Sequence, residues 1–309
     1  MSKSLDRLLL LQTFVRIADA GSISAAARSM GLSQPSVSRQ LAELETRFKA
    51  QLIRRTTHDL ALTETGTELL ADARQLLDEW EALAEKYRND GSTLKGKLKV
   101  VVPIALGQLN LLDTVIQFQN EHPAISVSWQ LEDQSIRFAE IGCDCWVKIG
   151  PVPDDSLVIE PLGQVERLVV AAPRLLKCYD QLQTPTDIEK LPCIALEPFE
   201  GRRIPLTNQQ GQSVTICPTA RMTTNNIFAL RAATRSGLGL AVMPRWLVED
   251  DLQHQRLIDC LPQWRAPQLT IHVASLPGRY QTQRLQSFLK VLRTAVPEIP
   301  GMTSMATIF

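Results

Sequence analysis

Apolar side chains at Leu10, Phe14, Ile17 and Ala18 fall on one side of a helix written over residues 5–20, and Gly21 supplies the left-handed residue that ends it. Ser22 or Ser24 then offers an oxygen to the free amides of a second helix. Its Ala25, Ala26 and Ala27 permit close approach, and Gly31 stops it. Ser33 starts a third helix, with Pro35 in the first turn, where a missing amide costs nothing. At 100° per residue, Val37, Leu41, Leu44 and Phe48 lie within about 60° of one another and form the expected core face. Pro35, Arg39 and Glu43 point the opposite way, flanked by Ser36, Gln40 and Arg47.

Two strand-like pieces follow, around 52–54 and 60–62, and their turn carries Arg54, Arg55 and His58. A polar helix face that begins with Ser, Gln and Arg offers amide and guanidinium donors for base edges and hydroxyls for phosphates. An αα-hairpin with a solvated face would produce the same spacing over 22–48. The strand pair and its arginines add the weight on the side of nucleic acid.

From Thr63, a cap residue with Glu64 beside it, apolar residues recur at Leu69, Ala73, Leu76, Trp80, Leu83 and Tyr87, a heptad seam. An isolated helix of this length is marginal in water, so the seam needs a partner: a second copy of the helix, or the body of its own chain. Residues 89–97, NDGSTLKGK, read as a flexible linker. Beyond them strand-like runs alternate with helical ones: KLKVVV, a helix from about 107 to 121 closed by Pro123, ISVSWQL, a helical piece at 135–141, and CWVKIG. RLVVAA, CIAL, a helix at 227–236, LGLAVMP, QLTIHVASL and a last helix at 282–296 complete the series. This half of the chain reads as α/β with largely parallel sheets. The tail PEIPGMTSMATIF reads only as flexible.

Charge changes the picture by position. The 309 residues carry 33 basic and 33 acidic side chains, but residues 1–62 hold nine basic against five acidic and residues 63–90 three against eight. A basic head followed by an acidic helix suits a nucleic-acid-binding head on a dimerising stalk. Hydrophobic residues make up 44% and charged residues 21%, the balance of a globular protein. No apolar run approaches the roughly 18 residues that span a bilayer, and no signal-peptide layout opens the chain, so a cytoplasmic location without a membrane partner is expected. Cysteines at 143, 145, 178, 193, 217 and 260 and histidines at 58, 122, 254 and 272 show no metal-finger, disulfide or catalytic-triad spacing, so no metal, cofactor or enzymatic activity is expected.

The stretch GSISAAARSMGLSQPSVSRQLAELETRF…QLIRRTTHDLALTETG resembles the winged helix-turn-helix head of the LysR-type transcriptional regulators, a bacterial family, over about sixty consecutive residues. CDCWVKIG, TNNIFALRAATRSGLGLAVMP and GRYQTQRLQSFLKVL resemble the effector domain of the same family, especially its CrgA-like subgroup. The resemblance implies an α/β chain in three parts. A winged helix-turn-helix domain occupies 1–62, with the motif at about 23–42, and a dimerising linker helix occupies 63–90. A two-lobed effector domain of periplasmic-binding-protein type (type 2) occupies 96–296, with lobe I at 96–162 and 268–296 and lobe II at 163–267. It further implies double-stranded promoter DNA, RNA polymerase and self-association, as a dimer or dimer of dimers, as partners. The DNA contacts carry over onto Ser33, Gln34, Pro35, Ser36, Ser38 and Arg39, with Arg54 and Arg55 on the wing, while Thr63 at the start of the linker helix offers an amide or hydroxyl to phosphate.

The resemblance also implies a small-molecule effector between the lobes. Its walls would be Pro103, Ile104, Ala105, Leu106, Gly107, Ile149 and Gly150 from lobe I, and Glu197, Phe199, Thr223, Thr224 and Asn225 from lobe II. Many family members place Ser or Thr after the first strand of lobe I to hold a carboxylate, whereas this chain has Val102-Pro103-Ile104-Ala105-Leu106. A small carboxylate is therefore disfavoured and a partly apolar ligand favoured. Equally open, Ile104 and Leu106 could pack the lobe, and Thr223 and Thr224 could cap a helix. Two other readings stand beside this one: a redox sensor using Cys143 and Cys145, which share a strand face, and a solute-binding or enzyme-like two-lobed protein.

Overall fold

A computed structural model describes residues 6–55, 60–87, 94–179, 184–197, 203–277 and 281–303. The head consists of helices α1 (Arg7–Ala20), α2 (Ile23–Met30) and α3 (Gln34–Phe48), and strands β1 (Ile53–Arg55) and β2 (Leu60–Leu62). Each helix carries its own start and stop. Asp6, Ser22 and Ser33 accept hydrogen bonds from the first free amides, and Gly21, Gly31 and Lys49 close the ends in left-handed conformation. Leu10, Phe14, Ile17, Ala26, Ala27, Val37, Leu41 and Leu44 meet in one buried cluster, each large member contributing about 1.5–3 kcal/mol by leaving water.

Two positions depart from the periodic expectation. Phe48 is 53% exposed, because α3 ends there and the chain turns away before the core can cover the ring. Gln40 is buried instead of flanking the outer face, and its Oε1 accepts the Thr13 hydroxyl of α1 at 2.6 Å. The Glu45 carboxylate accepts the Leu52 and Ile53 amides at 2.9 and 3.3 Å, which anchors the strand pair to the end of α3.

The stalk α4 (Glu64–Tyr87) runs from the head along the body. Thr63 caps it, accepting the Gly66 amide at 2.9 Å. The upper part of α4 belongs to the head: Leu70 and Ala73 are 2% and 1% exposed within the head cluster. Arg74 pairs with Asp19 of α1 at 2.5 Å and donates to the Glu140 carbonyl at 3.0 Å, so one guanidinium bridges head, stalk and body.

The body opens with β3 (Gly96–Val102), α5 (Ile104–Leu109), α6 (Leu112–Glu121), β4 (Ile125–Leu131), α7 (Phe138–Ile141) and β5 (Cys145–Ile149). The single helix expected over 107–121 is two, broken at Asn110 and the fully buried Leu111. Next come β6 (Val158–Ala171), α8 (Pro173–Leu176), α9 (Pro185–Ile188), β7 (Cys193–Leu196), β8 (Ile204–Asn208), β9 (Ser213–Ile216) and β10 (Ala220–Thr224). Then follow α10 (Ile227–Arg235), β11 (Ala241–Pro244), α11 (Arg245–Gln253), β12 (Ile258–Asp259), β13 (Trp264–Ser275), α12 (Gln283–Ala295), a short 3-10 turn at Val296–Glu298 and β14 (Met302–Thr303).

The main sheet has the order β11-β6-β13-β5-β3-β4. It is mixed rather than largely parallel. β3 pairs β4 and β5 in parallel, but the long β6 and β13 are antiparallel to each other. The reason is connectivity: β6 carries the chain from the first half of the body to the second and β13 carries it back, so the two must run in opposite directions. The end of the chain is fastened more firmly than its composition implies. Val296, Ile299 and Met302 are buried, and Met302 pairs Val165 of β6; residues 304–309 lie outside the described residues.

Candidate nucleic-acid interface and interlobe cleft

With Val37, Leu41 and Leu44 turned inward, α3 presents Gln34, Pro35 and Arg39 to solvent and Ser36 and Ser38 half-buried. Ser33 and Ser36 hydroxyls lie 2.8 Å apart across the first turn. Arg47 is held by Glu43 at 2.6 Å, which neutralises that end of the face, whereas Arg39 has no ion pair among the described residues. Arg28, exposed in the last turn of α2, adds a cation that helix periodicity does not single out. On the strand pair, Arg54 is exposed opposite Ala61 and Arg55 stands opposite Leu60; the turn with His58 lies outside the described residues. Thr63 departs from its expected role. Its amide donates to the Leu52 carbonyl at 3.0 Å and its hydroxyl to the Gln51 carbonyl at 2.7 Å, so both groups are committed to joining strand and stalk rather than to phosphate.

Of the predicted stalk seam, Leu76, Trp80 and Tyr87 are 47%, 53% and 72% exposed, and Leu83 is half-buried. Leu69 and Ala73 instead pack on the chain's own head, because the first turns of α4 complete its core. The seam is thus divided: the upper end is internal and the lower end open.

A cavity of about 530 Å³ lies between the two halves of the body, within the size range of small-molecule sites. Pro103, Ile104, Ala105 and Leu106 line it at the end of β3, with Ile149 on β5, Glu197 after β7 and Asn225 before α10. Gly107 does not line it. A Cβ there would fall 2.2 Å from Val102 Cγ2, so the glycine serves the contact of α5 with β3. Gly150 is also set back: its carbonyl contacts His272 Nδ1 at 2.9 Å, and its φ of 87° favours glycine. Thr223 and Thr224 are not in the wall either. Thr224 Oγ1 accepts the Asn226 amide at 3.1 Å, and the Thr224 carbonyl accepts the Glu197 amide at 2.9 Å, so this corner orders the approach to α10. Phe199 lies outside the described residues.

The wall contains groups that the sequence pattern did not reveal. Trp146 and Lys148 enter from β5, Arg167 from β6, Val242 from β11, Trp246 from α11 and Leu269 from β13. Arg167 is only 8% exposed, and burial lowers its pKa to about 10; its Nη1 donates to the Pro267 carbonyl at 3.2 Å. Trp246 is equally buried, and its indole Nε1 has no hydrogen-bond partner among the described residues. Asp133 accepts the Ile104 amide at 2.9 Å; burial raises its pKa, while that hydrogen bond and nearby Lys148 oppose the rise. Burial lowers the Lys148 pKa and Asp133 opposes that shift, so the two charges answer each other.

All six cysteines are free thiols. Burial pushes the Cys143 pKa up to about 12 and raises that of Cys145 well above the ordinary thiol value, which suppresses the thiolate that oxidation requires. Among the described residues no group of three or more His, Cys, Asp or Glu could hold a metal ion, and no helix is long and apolar enough to cross a membrane.

Residues 8–67 match the family model for bacterial regulatory helix-turn-helix proteins of the lysR family, and residues 91–297 match the LysR substrate binding domain. A curated relative, the HTH-type transcriptional regulator YhjC of Escherichia coli K12, is 27% identical over 301 residues, covering 95% of this chain and 99% of its own. Among solved structures, ArgP from Mycobacterium tuberculosis superposes with a TM-score of 0.69 at 20% identity, covering 94% of this chain and 97% of its own. CrgA from Neisseria meningitidis, a LysR-type transcriptional regulator, gives 0.58 at 24%, covering 94% and 99%. At these identities the two structures establish likeness of fold.

Proposed function

The chain belongs to the LysR family of DNA-binding transcriptional regulators, and from that premise we propose how its parts divide the work. Two heads, held apart by paired α4 helices, read an inverted repeat in double-stranded promoter DNA. Arg39, with Gln34, Pro35, Ser36 and Ser38, enters the major groove, while Ser33 at the start of α3 and Arg54 and Arg55 on the strand pair contact the sugar-phosphate backbone. Leu76, Trp80, Leu83 and Tyr87 form the pairing face. Its support is the exposure of Leu76, Trp80 and Tyr87, with Leu83 half-buried between them: large apolar groups at steps of four, three and four lie along one side of a single helix. A second stripe, Leu109, Leu112 and Ile116, is 40–50% exposed on the body and gives dimers a surface on which to pair again.

The effector is a small, partly apolar molecule held in the 530 Å³ cleft. Binding there shifts the relative disposition of the two halves of the body, hence the angle between heads, the bending of DNA and the contact with RNA polymerase. An effector moves that equilibrium only by its differential affinity for the two arrangements. The CrgA-like placement is part of this proposal, supported by the stretches CDCWVKIG and TNNIFALRAATRSGLGLAVMP.

The observation that carries the proposal is the coexistence in one chain of an exposed polar helix face and a largely apolar cleft, joined by one stalk. Footprinting the full chain on the region upstream of its own gene tests it. The expected result is protection of two half-sites separated by whole turns of duplex, roughly 10 base pairs each. Protection of one isolated half-site would refute the paired arrangement.

A further inference from the structure

The stalk has two opposite faces, one apolar and one charged. At 100° per residue, Leu76, Trp80, Leu83 and Tyr87 share one side of α4, while Arg74, Asp78 and Glu81 lie within about 60° of one another on the other. The charged side is turned to the chain's own body. Arg284 of α12 reaches it with its guanidinium 2.8 Å from Glu81 and 3.7 Å from Asp78, and Gln75 Nε2 donates to the Pro277 carbonyl at 3.0 Å. Arg74 completes the contact through Asp19 and the Glu140 carbonyl.

Charge at this junction is unevenly matched. Among the described residues three carboxylates converge on Arg284: Asp78 and Glu81 from α4 and, at 4.0 Å, Asp144 from just before β5. The Arg284 side chain is 6% exposed, so the group they share lies inside the fold. The other cations nearby are engaged or set apart. Arg74 holds Asp19, and Lys99 gives its Nζ to the Ile141 carbonyl at 2.5 Å. Lys97 and Arg16 stand exposed at the rim of a cavity of about 640 Å³ where head, stalk and body meet. Glu79 accepts from Gln75 at 3.0 Å, and Cys143 is a neutral thiol, its pKa pushed up to about 12 by burial.

Docking α4 therefore brings Asp78 and Glu81 against Asp144, and like charges gathered on one partner repel. A proton relieves them. Burial among protein groups and the charge of Asp144 raise the Asp78 pKa to about 7; Glu81 adds to the rise, while Arg284 and Arg74 oppose it. Asp144 shifts the same way, chiefly through burial, against the pull of Arg284 and of the Lys99 amide that it accepts at 2.7 Å. Asp78 keeps 49% of its side chain open to the cavity, so water screens part of the effect. Docked, Asp78 holds its proton up to about pH 7; released into water it loses the proton near about pH 4. Docking thus takes up a proton between these values, gains as pH falls through about 7 and gains nothing more below about 4.

We propose that this junction is a proton-operated latch between stalk and body. With Asp78 protonated, α4 lies fast along its own body and the head is fixed; with Asp78 ionised, α4 and the head are released together. The apolar face of α4 takes no part in the change, so stalks paired through it stay paired while the bodies shift. The latch does not depend on what the cleft binds.

Energy transfer in the full chain, measured without duplex or effector, tests it. Dyes on Ser29→Cys of α2 and Lys290→Cys of α12, both exposed positions, report the head-to-body distance. The exposed Cys178 and Cys217 are replaced by Ser, and labelled chain is diluted into unlabelled chain so that each assembly holds one dye pair. From about pH 8 to about pH 5.5 the docked-to-released ratio should rise at least about five-fold, within the limit of about ten-fold per unit for one proton. Asp78→Asn should stay docked throughout and cut that change to below about two-fold. Asp144→Asn removes the repelling charge, keeps an acceptor for the Lys99 amide and should move the midpoint to lower pH. Asp72→Asn, exposed on the side of α4 away from the body, should leave the response intact. A distance that ignores pH, that lengthens in acid, or that responds equally in Asp78→Asn overturns the latch.

Discussion

The outer face of α3 and the wall of the cleft hold their cations under opposite conditions. Arg39 projects into water from a helix whose other face is fully buried by Val37, Leu41 and Leu44. Its hydration is intact, and binding a polyanion exchanges water and counterions for phosphate and base-edge oxygens, an interaction that salt weakens. Arg167 was stripped of water when the chain folded, and burial has already lowered its pKa to about 10. Inside the fold the same guanidinium chemistry acts in an apolar setting, where each polar contact it makes is stronger than in water. Exposure suits a long, repetitive partner, and burial suits a small one.

The sharpest way to break this comparison is to separate the two regions. Replacing Leu76 and Trp80 together by Asp should turn the pairing face of α4 into a repelling one and convert dimers to monomers in sedimentation analysis. DNA affinity should then fall by about 100-fold or more through lost bivalency, while effector binding in the cleft stays unchanged. If cleft binding falls equally, the two regions do not act independently. Arg39→Ala should next cost about 1–3 kcal/mol on the cognate site and relax preference at one base position. Arg54→Ala should weaken cognate and scrambled duplexes alike and reduce the salt slope by about one. Equal losses on both duplexes for both variants would remove the distinction between reading and holding.

How much of this was legible in the sequence follows from how each region is assembled. The head is written locally: caps at Ser22 and Ser33, stops at Gly21 and Gly31 and a 3.6-residue rhythm sufficed to place three helices and the face that α3 buries. Where that reading failed, a partner distant in sequence decided. Gln40 is inside because Thr13, 27 residues earlier, meets it there, and Ala73 is inside because the head lacked a wall without it. The cleft is written in pieces. The stretch Pro103–Leu106 was anticipated through family resemblance, but Arg167 and Trp246 come from strands and helices that meet only after the chain has crossed between halves and returned. Nothing in RLVVAA marks its arginine as facing a cavity. The mixed sheet escaped notice for the same reason, since strand direction depends on a crossover pattern that local periodicity does not encode.

Two smaller effects sharpen the picture. Gln40→Ala should lower stability by about 1–3 kcal/mol in denaturant titration by leaving the Thr13 hydroxyl without its side-chain acceptor, with little change in base preference. Mild peroxide followed by mass spectrometry should leave Cys143 and Cys145 unmodified, since burial keeps both thiols protonated, with any oxidation confined to the exposed Cys178 and Cys217. Oxidation of the buried pair together with altered DNA binding would favour the redox alternative.

The central claim is that paired heads recognise duplex through the outer face of α3. It is tested most directly by a stoichiometric mobility shift of the full chain on duplex from its own upstream region, run beside a scrambled duplex of equal length at graded salt. The account predicts two or four chains per specific complex, a preference for the upstream duplex that persists as salt rises, and loss of that preference in Arg39→Ala. One chain per complex, or no discrimination between the two duplexes even at low ionic strength, would contradict it.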